Sequence, residues 1–187
     1  MPNWCSNSVT IHGPKDHIEE FRKFIQDKDG KDWFDFFHPC PQELKDVGNV
    51  SLHEAGNETL IEKYGYSDWY SWSVDNWGTK WNADANNWEF NFFQDQGTVT
   101  FWFDSAWSPP IKLYEWIEEN TFCSVVGDYH EEGMCFVGRY EDGFDDFYEY
   151  SDLDSLENIP DEIVDNWNLA EMLEERADWD EEEENEQ

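Results

Sequence analysis

The sequence contains few basic residues. Of its 187 residues 11 are Lys or Arg and 45 are Asp or Glu, so the formal net charge is -34. A protein that grips nucleic-acid phosphates needs a basic stripe that displaces counterions, and no segment carries one. The same sign of charge disfavours anionic membrane surfaces. We therefore expect no direct binding of nucleic acid or membrane, and a partner with a basic protein surface, because so negative a field raises association rates with positive clefts.

Long apolar runs are also absent. No segment has about 18 consecutive apolar residues, and residues 1–20 contain no apolar run with a basic flank. These absences predict neither a membrane span nor a signal peptide, so we expect a cytoplasmic protein, in the host cytoplasm if a phage encodes it. The four cysteines form no CxxC pair, which predicts reduced and mostly buried thiols: Cys5, Cys40, Cys123 and Cys135.

Catalytic motifs are missing as well. The sequence has no GxSxG, no HExxH and no Gly-rich nucleotide loop. The string from Asn76 to Lys80 lacks the glycine spacing of a phosphate loop. We therefore expect no enzymatic activity and no cofactor.

Two groups of residues leave a metal site open as an alternative. His130, Glu131, Glu132 and Cys135 offer ligand types for zinc, with Asp128 nearby in the sequence. A second group offers oxygen ligands for Ca²⁺ or Mg²⁺: Asp142, Asp145, Asp146 and Glu149. The first group is also typical of a solvated hairpin end, and the second alternates with aromatic residues as in a half-exposed strand. We predict no metal ligand in either group.

Aromatic residues are abundant. They make up 18% of the chain, with 12 Trp and 14 Phe, and they recur from Trp4 to Trp179. A disordered acidic chain is poor in aromatic residues, so disorder throughout is excluded. The length fits one core of about 100–200 residues with an appendage.

Hydrophobic periodicity predicts an α+β fold. The predicted strands are 6–12, 88–93, 98–103, 123–129, 134–140 and, as a continuation of the sheet, 144–150. Helices are expected after Pro14 and after Ser108, with Ser108 as the cap of the second. The order contains β-α-β-β-α-β, the split βαβ or ferredoxin-like pattern. We predict a ferredoxin-like antiparallel sheet within residues 1–150, covered on one face by a helical layer.

An insert at about 31–87 interrupts this pattern and is rich in tryptophan. Residues 32–44 are predicted to be extended, because prolines break their aromatic run. A short helix is expected from Ser67, ending at Gly78. The insert, or a partner, would have to cover part of the second face of the sheet.

The acidic segment 151–187 contains 16 Asp or Glu and one basic residue, Arg176. Apolar residues recur at helical spacing at Ile163, Trp167, Ala170 and Leu173. This spacing predicts a docked amphipathic helix from Ile159 to about Arg176. No apolar residue follows Trp179, which predicts a solvated, disordered tail.

Five strings of the sequence carry a resemblance to a known family. They are Met1–Cys5 with Asn7, Trp69–Trp72, Asn76–Trp81, Ala106–Pro110 and Tyr129–Met134. Together they resemble the YubB-type family of phage and plasmid proteins, which is described as having a ferredoxin-like domain. The resemblance covers the chain to about residue 140. It implies a mobile-element origin and the ferredoxin-like fold, and it supplies no activity, cofactor or catalytic residue.

Charge and resemblance together predict a non-enzymatic acidic interaction protein of phage or mobile-element origin. It would inhibit a host nucleic-acid-binding or defence complex. Duplex DNA carries one negative charge per ~1.7 Å of its axis. If the carboxylates of the protein have a comparable spacing, it would act as a DNA mimic of the anti-restriction or anti-CRISPR type. Solubility alone would also account for the charge. The alternative functions are a small-ligand or metal-binding module and a homo-oligomeric structural protein.

Two sets of residues are candidates for binding a partner. The first set is acidic and C-terminal: Asp161, Glu162, Asp165, Glu171, Glu174, Glu175, Asp178, Asp180, Glu181 and Glu182. The second set holds possible aromatic anchors, since Trp is frequent at binding hot spots: Trp69, Trp72, Trp77 and Trp107. The alternative for these rings is an aromatic core with one or two of them at its rim.

Overall fold

The structure is a computed structural model that describes residues 3–47 and 58–185, with side chains as far as Ala177. Its strands are β1 (Trp4–Pro14), β2 (Asn86–Phe93), β3 (Gln96–Ala106), β4 (Ser124–Glu131), β5 (Phe136–Glu141) and β6 (Phe144–Glu149). Its helices are α1 (Lys15–Lys28), α2 (Phe34–Phe37), α3 (Gln42–Asp46), α4 (Glu58–Tyr64), α5 (Trp69–Trp77), α6 (Ile111–Asn120), α7 (Asp161–Asn166) and α8 (Leu169–Asn185), with a 3₁₀ helix at Asp154–Asn158. None of the helices described is long and apolar enough to cross a membrane.

The strands form one antiparallel sheet in the order β2-β3-β1-β4-β5-β6. At its centre Val9 of β1 pairs with Phe101 of β3 on one side and with Gly127 of β4 on the other. The first four strands in this order, with α1 and α6 as connections, have the ferredoxin-like arrangement. The predicted fold class is therefore confirmed. β5 and β6 widen the sheet beyond β4.

One face of the sheet carries the main hydrophobic core. Successive side chains of a strand point to opposite faces, and in β1 the fully buried Val9 and Ile11 flank the half-buried Thr10. α1 packs Phe21 against Phe101 of β3, with ring centroids 5.8 Å apart. α6 covers β4, which lies on the other side of β1 from β3. Burial of one such apolar side chain contributes about 1.5–3 kcal/mol, so this layer is a main source of stability.

The insert lies on this same face, which corrects the prediction that it covers part of the other. Trp33 packs on Phe101 and Phe103, with ring centroids 5.0 and 5.1 Å apart, and α5 contacts α6. The prediction that residues 32–44 are extended was wrong, because α2 lies within them and α3 begins there. The aromatic side chains of α2 drive this local folding, since Phe34 is fully buried.

The C-terminal helices cover part of the opposite face of the sheet. Ile163 of α7 and Leu173 of α8 join Val137 of β5 in a second hydrophobic cluster. Trp167 lies in the turn between the two helices and packs edge-on against Trp102, with ring centroids 5.7 Å apart. Trp102 stands between two core-facing residues of β3, so it points away from the main core. The predicted docking of an amphipathic segment therefore occurs here, on the second face.

Helix limits near the C terminus differ from the prediction. The single helix expected from Ile159 to about Arg176 is divided, because Asn168 adopts a left-handed backbone with φ 50 between α7 and α8. α8 then continues to Asn185, through positions for which the sequence predicted a disordered tail. Glu is a good helix former, and the composition of this stretch is compatible with a helix.

Two other helix limits test the capping predictions. Gly78 ends α5 with a left-handed φ of 84, as predicted. Ser108, however, does not cap α6, which begins after Pro110. The Ser108 hydroxyl instead donates a hydrogen bond of 2.8 Å to the carbonyl of Gly78. It therefore ties the end of α5 to the segment that precedes α6.

Candidate functional site

Exposed carboxylates are numerous on β6 and on the C-terminal helices. We call this surface the acidic end and define it by eight exposed residues: Asp145, Asp146, Glu149, Asp161, Asp165, Glu171, Glu174 and Glu175. The first three belong to β6, the next two to α7 and the last three to α8. α7 contacts β5, which pairs with β6, so the hairpin and the helices are neighbours. Asp146 pairs with Arg139 and lies on the face of the sheet that carries α7, whereas Asp145 and Glu149 lie on the opposite face.

Arg139 of β5 fixes α7 to the sheet. Its guanidinium donates two hydrogen bonds to Asp128, of 2.6 and 3.0 Å, and a third of 3.0 Å to Glu162. The hydrogen bond from Arg139 holds the pKa of Glu162 below its usual range. The contact of Arg139 with Asp128 is bidentate, which is the geometry in which Arg binds carboxylates most strongly. Arg139 thus supplies the positive charge that lets acidic α7 lie against an acidic strand.

The underside of the acidic end is apolar. Ile159, Ile163, Leu169 and Leu173 are buried against Tyr150 and Val137 in the second cluster. Helical spacing then turns the charged residues of α7 and α8 outward. The carboxylates are therefore carried on a packed support.

The structure distributes the predicted acidic partner-binding residues among three situations. Five of them are exposed on the acidic end: Asp161, Asp165, Glu171, Glu174 and Glu175. Glu162 is bound to Arg139, which locally offsets its charge and gives it a structural role. For the remaining four, the side chains lie outside the described residues: Asp178, Asp180, Glu181 and Glu182.

The sequence analysis missed the role of Arg139 in holding α7, and it did not consider the acids of β6 as part of a binding surface. Arg139 gave no signal by itself, although it is a basic residue inside a strongly acidic stretch, and that contrast is informative. The acids of β6 were considered only as cation ligands. Their alternation with aromatic residues correctly indicated a strand, and the pairing of β6 beside β5 places Asp146 on the face that carries α7.

The four proposed aromatic anchors lie in different environments. Trp72 and Trp77 are buried in the main core, 5% and 3% exposed, so they are not anchors for a partner in this structure. They pack edge-on against each other with centroids 5.2 Å apart. Trp69 is half-buried at the edge of this core. Trp107 is 45% exposed and remains available as an anchor.

Several of the strings singled out in the sequence meet at the end of β3. The Thr79 hydroxyl donates a hydrogen bond of 2.8 Å to the carbonyl of Ala106. The Trp107 N–H donates one of 3.0 Å to the carbonyl of Asn3. Trp107 has a φ of 72, a conformation that is rare for a bulky residue and is held here by its surroundings. Segments that are far apart in the chain therefore form one connected structure.

Comparison with known families decides the affiliation. The family model described as the ferredoxin-like domain in Api92-like protein matches residues 76–187, more than half of the chain. The chain belongs to the Api92-like family. The matched residues include β6 and both C-terminal helices, so the acidic end lies within the family domain.

Two further comparisons, with solved structures and with curated proteins, add little information about this chain. The crystal structure of a protein api92 from Yersinia pseudotuberculosis aligns with this Api92-like chain at 10% identity. The alignment covers 81% of this chain and 99% of that one, with a TM-score of 0.40. The search of curated proteins found no match.

The geometry of the Api92-like chain does not assemble the predicted metal alternative. His130 and Glu131 are neighbours in β4, so they point to opposite faces of the sheet. His130 Nε2 is 2.6 Å from the Tyr150 hydroxyl, and burial lowers the pKa of His130. Glu131 accepts hydrogen bonds from the backbone N–H groups of Gly133 and Met134 in the following turn. Within the part of the chain that the structure describes, no group of three or more His, Cys, Asp or Glu is arranged to hold a metal.

Proposed function

We propose that this Api92-like protein is a non-enzymatic interaction protein of phage or mobile-element origin, related to the YubB type, that acts in the cytoplasm of its host. It binds a basic surface of a nucleic-acid-handling or defence complex through the acidic end. By occupying the groove that normally holds DNA, it inhibits that complex.

The observation that carries this proposal is the presentation of carboxylates on packed elements. Arg139 and the apolar cluster under α7 and α8 hold the acidic end against the sheet. A surface that is already ordered loses less conformational entropy on binding than a flexible acidic tail does. The arrangement is therefore suited to recognition by shape as well as by charge.

The chain has too few basic residues to neutralise most of its carboxylates, since 11 Lys or Arg stand against 45 Asp or Glu. Among the described side chains, ion pairs engage Asp35, Glu43, Glu115, Asp128 and Glu162. The unpaired charges produce a field that attracts basic surfaces and repels DNA. This favours a partner whose natural ligand is an anionic polymer.

The density of charge along α8 supports mimicry of DNA. Residues 171–184 contain nine Asp or Glu. At about 1.5 Å per residue this part of the helix axis is about 21 Å long, which is one acidic residue per about 2.3 Å of axis, with Arg176 as its one basic residue. Duplex DNA carries one negative charge per ~1.7 Å. The two densities are of the same order, which favours mimicry over acidity that serves only solubility.

Affinity capture tests the proposal. The immobilised protein is exposed to a bacterial lysate at about 0.05 M salt, and bound proteins are eluted with rising salt and identified by mass spectrometry. We expect one basic nucleic-acid-binding complex to elute over a narrow salt range, and duplex DNA to displace it. A partner retained at about 1 M salt, where charges are screened beyond ~3 Å, or one unaffected by duplex DNA, would contradict the proposal.

A further inference from the structure

A pocket of about 370 Å³ lies within the insert, and none of the residues that line it belongs to the acidic end. Its apolar walls are the rings of Trp69, Trp77 and Trp81. The Trp77 ring is fixed, because its Nε1–H donates a hydrogen bond of 2.8 Å to the carbonyl of His38. Pockets of about 300–1,000 Å³ with aromatic walls and a few polar groups are typical sites for small ligands.

The pocket is richer in basic residues than the protein as a whole. Lys45 and Lys80 line it together with one acid, the exposed Asp32. Asp35 neutralises Lys45, so Lys80 is the cation of the pocket that an anionic ligand would approach.

Lys80 is held in place by aromatic rings. Its ammonium lies 4.6 Å from the centroid of Trp81 and 5.7 Å from that of Tyr70, the geometry of a cation–π contact. It forms no ion pair with any side chain that the structure describes. By contrast, Lys45 is paired with Asp35 at 3.2 Å. Lys80 therefore offers an ordered and unneutralised ammonium at the pocket.

Two polar groups in the pocket wall lack a hydrogen-bond partner among the described residues. The Ser73 hydroxyl is one of them, and Ser73 is 1% exposed. The other is Nδ2 of Asn82, whose Oδ1 accepts hydrogen bonds from the backbone N–H groups of Phe34 and Ala83. Buried polar groups are nearly always paired, so each exception calls for an explanation. A bound polar ligand would supply one for Ser73, which lines the pocket.

The pocket is built for binding and not for nucleophilic chemistry. Cys40 is the one pocket residue here with a thiol, and burial raises its pKa to about 11. At neutral pH it is therefore a protonated thiol, which is a poor nucleophile.

From the three tryptophans, Lys80 and the unpartnered Ser73 hydroxyl, we propose that the pocket binds a small planar aromatic molecule that carries an anionic group. The ring packs against the tryptophan walls and the anion lies beside the Lys80 ammonium. Two sources have this chemistry, a nucleoside monophosphate and an aromatic carboxylate.

Matched probes separate these sources. AMP is compared with adenosine and with inorganic phosphate, and indole-3-acetate is compared with indole, in about 0.15 M salt to screen the long-range field. Binding is measured by calorimetry and by NMR of the tryptophan indole N–H signals. We expect one of the two anionic probes to bind at least tenfold more tightly than its neutral counterpart. The probe that binds identifies the source.

Variants then locate the site. We expect Lys80→Ala to weaken binding of that probe at least tenfold and Lys80→Arg to restore most of it. Lys23→Ala, which removes an exposed charge from α1, is the control and should leave binding unchanged. The proposal is overturned if the neutral probes bind as tightly as the anionic ones, if Lys80→Ala behaves like Lys23→Ala, or if no probe shifts an indole signal at millimolar concentration. None of these results bears on the acidic end, so the two proposals fail independently.

Discussion

Arg139 of β5 donates a hydrogen bond of 3.0 Å to Glu162 of α7, and this contact joins the sheet to the C-terminal helices. The same guanidinium also binds Asp128 of β4. One basic side chain thus joins acids of two elements, β4 and α7, that would otherwise repel one another. The position of the acidic end depends on this contact as well as on the apolar cluster beneath the helices.

Removal of this side chain should loosen the helices. Arg139→Ala leaves Asp128 and Glu162 without their shared cation, and hydrogen bonds between charged groups contribute about 1.5–3 kcal/mol. We expect the free energy of unfolding to fall by about 2 kcal/mol, measured by urea unfolding with tryptophan fluorescence. The free energy of unfolding of Arg139→Lys should lie between those of wild type and Arg139→Ala, because Lys keeps the charge and loses the bidentate donors of the guanidinium.

An exposed ion pair provides the control for that measurement. Lys112 and Glu115 are 2.8 Å apart on the surface of α6. Lys112→Ala should change the free energy of unfolding by no more than about 0.5 kcal/mol, as for most surface pairs. Equal effects of Arg139→Ala and Lys112→Ala would show that Arg139 does not hold the helices.

Removal of the unpartnered hydroxyl of Ser73 should stabilise the protein. A buried polar group without a hydrogen bond costs about 1–3 kcal/mol, and Ala is also the better helix former. We expect Ser73→Ala to raise the free energy of unfolding by about 1 kcal/mol in thermal or urea denaturation. The control is Ser71→Ala in the same helix, where the hydroxyl is 3.3 Å from Asp68 and its loss removes a hydrogen bond. A loss of stability in Ser73→Ala, with a gain in Ser71→Ala, would contradict this account.

The ring of His38 should make stability depend on pH. It stacks on Trp72 and Trp116 with centroids 5.0 and 4.4 Å away, and Asn76 accepts its Nε2–H at 3.1 Å. Burial lowers the pKa of His38 in the folded protein below its value of about 6.5 in the unfolded chain. The unfolded chain then binds more protons, so this contribution to stability is present above about pH 6.5 and is lost as the pH falls through the folded pKa.

Comparison with His38→Gln isolates that contribution, since the many carboxylates titrate in both proteins. Urea unfolding between about pH 7.5 and 5.5, a range that spans the usual His pKa, should show the stability difference between wild type and variant shrinking on acidification. A difference that is constant over this range would mean that His38 does not titrate differently in the folded and unfolded states.

Close packing at Gly138 should exclude any side chain. A Cβ there would lie 2.3 Å from the Tyr129 hydroxyl and 2.4 Å from the carbonyl of Asp146. Gly138→Ala should therefore lower the free energy of unfolding by about 3 kcal/mol, at the upper end of overpacking effects. The control is Gly143→Asn in the adjoining turn, where an added Cβ would have no neighbouring atom within 4 Å. The φ of Gly143 is 78, a conformation that Asn tolerates. If the two changes have equal effects, the packing between β5 and its neighbours is looser than described.

The ferredoxin-like core could be predicted from the sequence because its signals are local. Alternation of apolar residues such as Val9 and Ile11 indicated β1, and Gly78 marked the end of α5. The order of strands and helices then restricts the sheet to few arrangements. The amphipathic spacing of the C-terminal segment likewise predicted that it docks.

The remaining features depend on contacts between distant residues. Periodicity shows that Ile163 is buried, and it does not show which face of the sheet buries it. The number of tryptophans likewise does not distinguish Trp77 in the core from the exposed Trp107. The pocket beside Lys80 is formed by the insert folding back on itself, which no local pattern indicates.

The central claim is that the acidic end is the binding surface, and association kinetics with the captured partner test it most directly. One variant neutralises four acids of the helices, with Asp161 and Asp165 changed to Asn, and Glu174 and Glu175 changed to Gln. Its control changes the net charge equally on and just after α1, with Glu19 and Glu20 changed to Gln, and Asp27 and Asp29 changed to Asn. We predict that the first variant associates at least fivefold more slowly and with a weaker dependence on salt, while the control matches wild type, because steering depends on charges that face the partner. Equal association rates for the two variants would contradict a specific acidic binding surface.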